Sequence, residues 1–399
     1  MTEAQKILLE LLAKELFGKQ ITLPADADWK QVLQEAQNQA VIQIASNAIP
    51  KGLLDQETAG LWSAKASSVI ANNIRVVHNH ELLHQWMSEG HIPYVILKGC
   101  SSAHYYPVPI NRAMGDVDFL VPDEYLEQAE KILEEQGLTP WDEEHISHIV
   151  YRKKGMHLEM HFNVAGTPEG KAGDLVREYM KDVFEKAQLE PVGSGRAYLP
   201  SPFHHGLIIL LHTCHHMTGE GVGLRHLCDW AVFENSLSDA EFRNLFEEKL
   251  KALGLWKFAQ ILTRTSIRYL GAEERTWAVC DEEVPEELME DILTGGNFGR
   301  KDKSRSTQTM LISDRGKNGL GRTGMVSQFT KAANGIVCQH WPAARKNKLL
   351  LPAGWVYFGG RRIIREMTGK RNKTNIKHVV DSASERRSLY MKMHLYEAE

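Results

Sequence analysis

Long apolar runs are missing from this chain of 399 residues. The longest, Leu207 to Leu211, falls far short of the roughly 20 residues that cross a bilayer, so no membrane span is expected. Cysteine is sparse as well. Cys100, Cys214, Cys228, Cys280 and Cys338 are odd in number, widely spaced and free of any CxxC pair. That suggests neither a disulfide framework nor a thiolate zinc site, and a reducing cytosol fits best. The N-terminus, Met1-Thr2-Glu3-Ala4-Gln5-Lys6, lacks a basic segment followed by an apolar core, so no secretory leader is expected and the predicted location is cytoplasmic. No solenoid-type repeat is visible. The glycines of Gly219-Glu220-Gly221-Val222-Gly223 follow no strand and have the wrong spacing for a dinucleotide fingerprint.

What is present is an ordinary globular balance, 43% apolar and 25% charged, in a chain long enough for two or three domains. The net charge of −4 hides an asymmetry. From Arg300 onward there are 21 Lys and Arg against 7 Asp and Glu, a net of +14, which leaves −18 on the rest. Such a tail either packs on the acidic body or faces a polyanion, NTP phosphates or RNA.

Apolar spacing predicts helices over residues 4–17, 29–48 and 56–89, the last stopped by Gly90. From Ile92 the pattern turns to short β-rich runs around residues 93–97, 116–121, 148–152 and 157–162, with an amphipathic helix over 123–136 between them. Helices return over 202–217, 224–230, 241–252 and 256–269. Residues 296–325, rich in Gly, Ser, Thr, Lys and Arg, read as a loop or linker. Helical pieces follow over 325–338, 353–367 and 379–396. The expected organisation is a helical region over 1–90, an α/β core over 91–195, a helical domain over 196–295, a basic linker over 296–325 and a basic helical region over 326–399. The fold class is α+β, a small mixed sheet flanked by helices at both ends.

Three stretches carry chemistry. In Gly115-Asp116-Val117-Asp118-Phe119-Leu120-Val121 the acids alternate with apolar residues, so Asp116 and Asp118 share one face of a strand. Adjacent carboxylates repel unless a cation lies between them. A second alternating stretch, His157-Leu158-Glu159-Met160-His161, adds Glu159 and His161 on one face, and three acids on two short strands form an oxygen-ligand site suited to Mg²⁺. Upstream, an apolar strand breaks into Lys98-Gly99-Cys100-Ser101-Ser102, where backbone N–H groups, hydroxyls and a charge can cradle phosphate. Two other patterns read as scaffold. His80-Glu81-Leu82-Leu83-His84 matches the zincin HExxH, but without an evident third ligand it is better described as a helix end running into a strand. The helix carrying His204, His205, His212, His215 and His216 lacks zinc-type spacing.

Taken together, Leu97-Lys98-Gly99, the run from Arg112 to Val121 and Leu158-Glu159-Met160-His161 resemble an uncharacterised bacterial nucleotidyltransferase family of the DNA polymerase beta superfamily. The resemblance is best over residues 90–165 and extends more loosely over 207–230. It implies that Asp116, Asp118 and Glu159 are the catalytic, metal-binding acids. It also implies that Gly99, Ser101 and Ser102 form the phosphate loop, with Lys98, Arg112, His161 and Arg225 as further nucleotide contacts. Two Mg²⁺ (or Mn²⁺) ions on the acids would clamp attacking and leaving oxygens, and Glu159 would take the acceptor hydroxyl's proton. The expected activity is transfer of an NMP group from NTP to an acceptor with release of pyrophosphate. A small molecule is favoured as acceptor over RNA or protein. The rivals are a toxin-like enzyme that modifies RNA or protein and a non-catalytic nucleotide-binding or interaction protein.

Overall fold

The computed structural model describes residues 1–141, 147–305, 308, 315–316, 319–320, 334, 337, 341, 343–344, 347–358 and 376–397. Half of the expected linker over 296–325, most of the helix over 325–338 and the end of the helix over 353–367 lie outside these residues. The chain forms two compact units. One comprises Met1–Met217, Gly221–Lys301 and Met393–Glu399, the other Thr218–Glu220 and Asp302–Lys392.

The first unit begins with helices α1 (Glu3–Phe17), α2 (Trp29–Asn38), α3 (Ile42–Ala48) and α4 (Gln56–Glu89). A Thr2–Gln5 capping box opens α1 and left-handed Gly18 closes it. The single helix expected over 29–48 is instead two. Ala40 takes a positive φ of 57° between them, and the buried Gln39 bridges elements distant in sequence, donating to the Ile292 carbonyl and accepting from the Leu224 N–H.

The sheet follows, made of β1 (Val95–Ile96), β2 (Val117–Leu120), β3 (Thr139–Pro140), β4 (His148–Lys153) and β5 (Met156–His161), with the one-turn helix α5 (Cys100–Ala103) and helix α6 (Leu126–Glu135) in the connections. The spatial order is β1-β2-β5-β4-β3. Only the β2–β5 pair is parallel, so the sheet is mixed and the fold is α+β. One sheet face carries Val117, Phe119, Leu158 and Met160, which join Leu83 and Met87 of α4 and Ala129 and Leu133 of α6 in a continuous buried cluster. Burying apolar area at roughly 25 cal/mol per Å² makes this cluster the anchor of the sheet.

Helix α7 (Lys171–Tyr179) and the hairpin β6 (Gln188–Val192)–β7 (Gly195–Leu199) lead to helices α8 (Pro202–Thr218), α9 (Leu224–Asn235), α10 (Asp239–Leu253), α11 (Trp256–Leu270) and α12 (Glu283–Gly295). At Gly206 of α8 a side chain would meet Phe233 and Phe246 within 2.7 Å, so the missing Cβ lets these helices pack closely. Among the described residues no helix is long and apolar enough to cross a membrane. In the second unit, the helix Ile376–Lys392 is tied by Arg386, which donates to Gln308 Oε1 and to the Gly219 carbonyl, both at 3.0 Å.

Candidate active site

Side-chain alternation builds the site on the sheet face opposite that core. With Val117 and Phe119 committed to the core, Asp118 and Asp116 point the other way, and the same holds for Glu159 and His161 around Leu158 and Met160. Parallel pairing sets Asp118 across from Glu159. Antiparallel pairing sets His148 across from His161. One carboxylate oxygen from each of Asp116, Asp118 and Glu159 lies within 4.8 Å of the others.

Helix α4 fixes the entry to the aspartate strand. The buried Asn73 donates to the carbonyls of Ile110 and Arg112 and accepts from the Met114 N–H, while Asn72 donates to the Met114 carbonyl. One side chain thus satisfies three backbone groups of an irregular loop that would otherwise be buried unpaired.

The acids are unequal. Burial, then the neighbouring Asp118 and Glu159 carboxylates, push Asp116 up to about 7. Burial acts the same way on Asp118, but Lys98 and His161 outweigh it and hold Asp118 well below the usual range. Lys98 Nζ lies 2.8 Å and His161 Nε2 3.1 Å from Asp118 Oδ1. For Glu159, burial is outweighed mainly by His161 beside it, and its carboxyl is lowered. The His161 ring resists charge through burial but is raised by the two carboxylates it faces.

Of the nucleotide-binding residues expected from sequence, Lys98, Gly99 and His161 are brought to the acids. A side chain at Gly99 would lie 3.6 Å from the Asp116 carbonyl, and its φ of +68° is a conformation glycine alone adopts freely. In α5, Ser102 Oγ is buried without a partner, whereas Ser101 Oγ bonds His205 Nδ1 at 2.9 Å. Arg225 lies near the Phe298 ring, donates weakly to the Ala113 carbonyl at 3.4 Å and feels the Asp116 charge. Arg112 is committed elsewhere. It makes a two-pronged ion pair with Asp229, at 2.7 and 2.6 Å, and Tyr106 donates to the same carboxylate at 2.7 Å.

Three features escaped sequence reasoning. Asp229 was one acid among many until its pairing with Arg112. His148 reaches the site because β4 pairs beside β5, and only its period-2 spacing with Val150 hinted at a facing position. His212, His216 and His226 gather with Phe298, ring centroids 4.3–5.9 Å apart, and His212 and His216 feel the charge of Lys98. The HELLH residues serve the scaffold. His80 is buried against Gly99, Glu81 accepts from Ser194 and Gly195 at the hairpin turn, and His84 bonds the Tyr94 hydroxyl.

No curated protein gives a significant match to this chain. A family model described as an uncharacterised nucleotidyltransferase matches residues 25–271, a stretch that includes every residue of the acid cluster, the Gly99 turn and helices α8 and α9. With more than half of its length matched, the chain belongs to this uncharacterised nucleotidyltransferase family, whose chemistry is nucleotidyl transfer from an NTP.

Proposed function

We propose that the protein transfers a nucleoside monophosphate from an NTP to a hydroxyl-bearing small molecule, releasing pyrophosphate with the help of divalent cations. The observation that carries this reading is the in-register pairing of Asp118 with Glu159, which gathers three carboxylates within 4.8 Å on the sheet face opposite the apolar cluster.

The donor set fits Mg²⁺ or Mn²⁺. It consists of carboxylate oxygens, and it already draws in a cation, the Lys98 ammonium. It also leaves Asp116 short of positive charge, with its carboxyl pushed up to about 7. Asp116, Asp118 and Glu159 would hold the ions. When bound, such ions neutralise phosphate oxygens and make an acceptor hydroxyl more acidic.

The remaining roles fall to the chain's own side chains. Lys98, Gly99, Ser102 and Arg225 line the path for the β- and γ-phosphates, where charge grows as pyrophosphate departs. Ser101, tied to His205, and Arg112, tied to Asp229, shape that path from behind. Glu159, kept ionised, accepts the acceptor hydroxyl's proton. The acceptor oxygen then bonds to the α-phosphorus as the bond from that phosphorus to the bridging oxygen breaks, and the electron pair leaves with pyrophosphate. The superfamily kinship and a two-ion arrangement belong to the same reading.

The test is incubation with each α-labelled NTP and Mg²⁺ or Mn²⁺ against metabolite, tRNA and self-protein acceptors. Label is expected in a small-molecule product and lost in Asp118→Asn. Absence of label from every combination overturns the proposal, and label in tRNA or protein overturns the choice of acceptor.

A further inference from the structure

The acid cluster has a neighbour of different chemistry. Because His148 pairs with His161 across β4 and β5, and Glu159 lies two residues before His161, the three side chains share one face. Glu159 Oε2 lies 3.8 Å from His148 Nε2 and 3.6 Å from His161 Nε2, with the two rings 4.7 Å apart. One donor atom from each of the three residues falls within 4.8 Å of the others, and His161 Nε2, 3.1 Å from Asp118 Oδ1, would exchange that contact for an ion. The gaps from Glu159 are longer than a hydrogen bond. They are close to the spacing of donors sharing one ion, since ligand atoms about 2.0–2.1 Å from a tetrahedral centre stand roughly 3.3–3.4 Å apart. His148 and Glu159 side chains are 16% and 18% exposed, which leaves a route in, while His161 is fixed at 1% exposure.

Two imidazoles and one carboxylate are a poor donor set for Mg²⁺, which prefers oxygen throughout, and a good one for zinc-, iron- and nickel-class ions. We propose that His148, Glu159 and His161 form a second cation position, selective for a divalent transition ion over Mg²⁺, that shares Glu159 with the aspartate position. The inference goes beyond the nucleotidyl-transfer reading and concerns ion binding, which needs no turnover to be observed. It makes the centre heterometallic, with hard oxygens at one end and nitrogens at the other, joined through one carboxylate.

The test uses the full chain, stripped with chelator and titrated with Co²⁺ in the presence of excess Mg²⁺. Nitrogen-ligated Co²⁺ absorbs in the visible, so a band saturating at one equivalent and abolished by Zn²⁺ is expected. His148→Ala and His148→Gln, a pair chosen so that a folding failure in one leaves the other, should each weaken the band's Co²⁺ affinity at least about tenfold. Asp116→Asn should keep the band. A band that survives both His148 changes, disappears in Asp116→Asn or yields to Mg²⁺ at equal concentration overturns the proposal. Failure of nucleotidyl transfer is seen separately, as absence of label with the Co²⁺ band intact.

Discussion

Lys98 Nζ and Asp118 Oδ1 stand 2.8 Å apart, with the carboxylate almost fully buried and the ammonium at 18% exposure. A lysine therefore neutralises one wall of the acid cluster, and its own charge is favoured by Asp118, Asp116 and Glu159 despite burial. Removing it should leave the acids uncompensated, at a cost of about 3 kcal/mol for a broken buried pair. Lys98→Met is expected to lower the melting temperature in chelator and to recover more than the wild type on adding Mg²⁺. Equal metal-induced shifts in both proteins would show that Lys98 and the ion do not share the acids' field.

Asp116 and Asp118 should respond oppositely to amide substitution. Asp116 is a half-buried carboxylate that its neighbours repel, so Asp116→Asn relieves repulsion and should raise the melting temperature of the metal-free chain by a few degrees, a ΔΔG of about 1 kcal/mol. Asp118→Asn breaks the contacts to Lys98 and His161 and should lower it. Both should cut label transfer at least about a hundredfold. Parallel stability effects in a thermal melt would contradict the charge assignment.

Acid should unfold the protein early. Burial is the main cause holding five histidines neutral, with His80 at about 4, His205 and His216 at about 3, and His212 and His226 well below the ordinary value. The unfolded chain protonates each near 6.5, so stability is full above that pH and falls as pH drops toward the folded values. Asp116 and Glu234, both pushed up to about 7 by burial first, work the other way between about 4 and 7. The histidines, which also include the lowered His84, His157 and His204, outnumber the two acids, so unfolding takes up protons and stability falls as pH drops below about 6. Urea midpoints at pH 7.5, 6 and 5 measure this slope, and a flat series would remove the histidines from the account.

The Arg112–Asp229 pair is buried on both sides, at 6% and 8% exposure. Asp229→Ala should cost about 3–5 kcal/mol because it strands a buried guanidinium. Adding Arg112→Met should recover much of that loss. A double-mutant cycle in urea checks it, and additive losses would mean that the two side chains act independently.

The aspartate strand and its neighbour were legible because period-2 alternation over residues 116–121 and 157–162 is local, and the larger helices followed from similar local signals, whereas α7, the β6–β7 hairpin and α12 were not expected. Register was not. That Asp118 faces Glu159, and His148 faces His161, depends on which strands pair, and strand pairing is decided by the shared core of Phe119, Met160 and Leu83. The break between α2 and α3 was hidden for a related reason. Gln39 satisfies groups some 185 and 253 residues away, and no window of sequence contains them. Arg112 was expected at the triphosphate from the family resemblance, and its buried pairing with Asp229, 117 residues away, lies outside any local window.

Helix α4 acts as a ruler. Asn73 sets the loop into the aspartates, His80 backs the Gly99 turn and Glu81 holds the hairpin turn, and Asn73 and His80 are two helical turns, about 10 Å, apart. One residue inserted between them would rotate one contact by roughly 100° away from its target. Between Asn73 and Glu81 the residue count is therefore fixed by the distance from the loop ahead of the aspartate strand to the Gly99 turn and the hairpin.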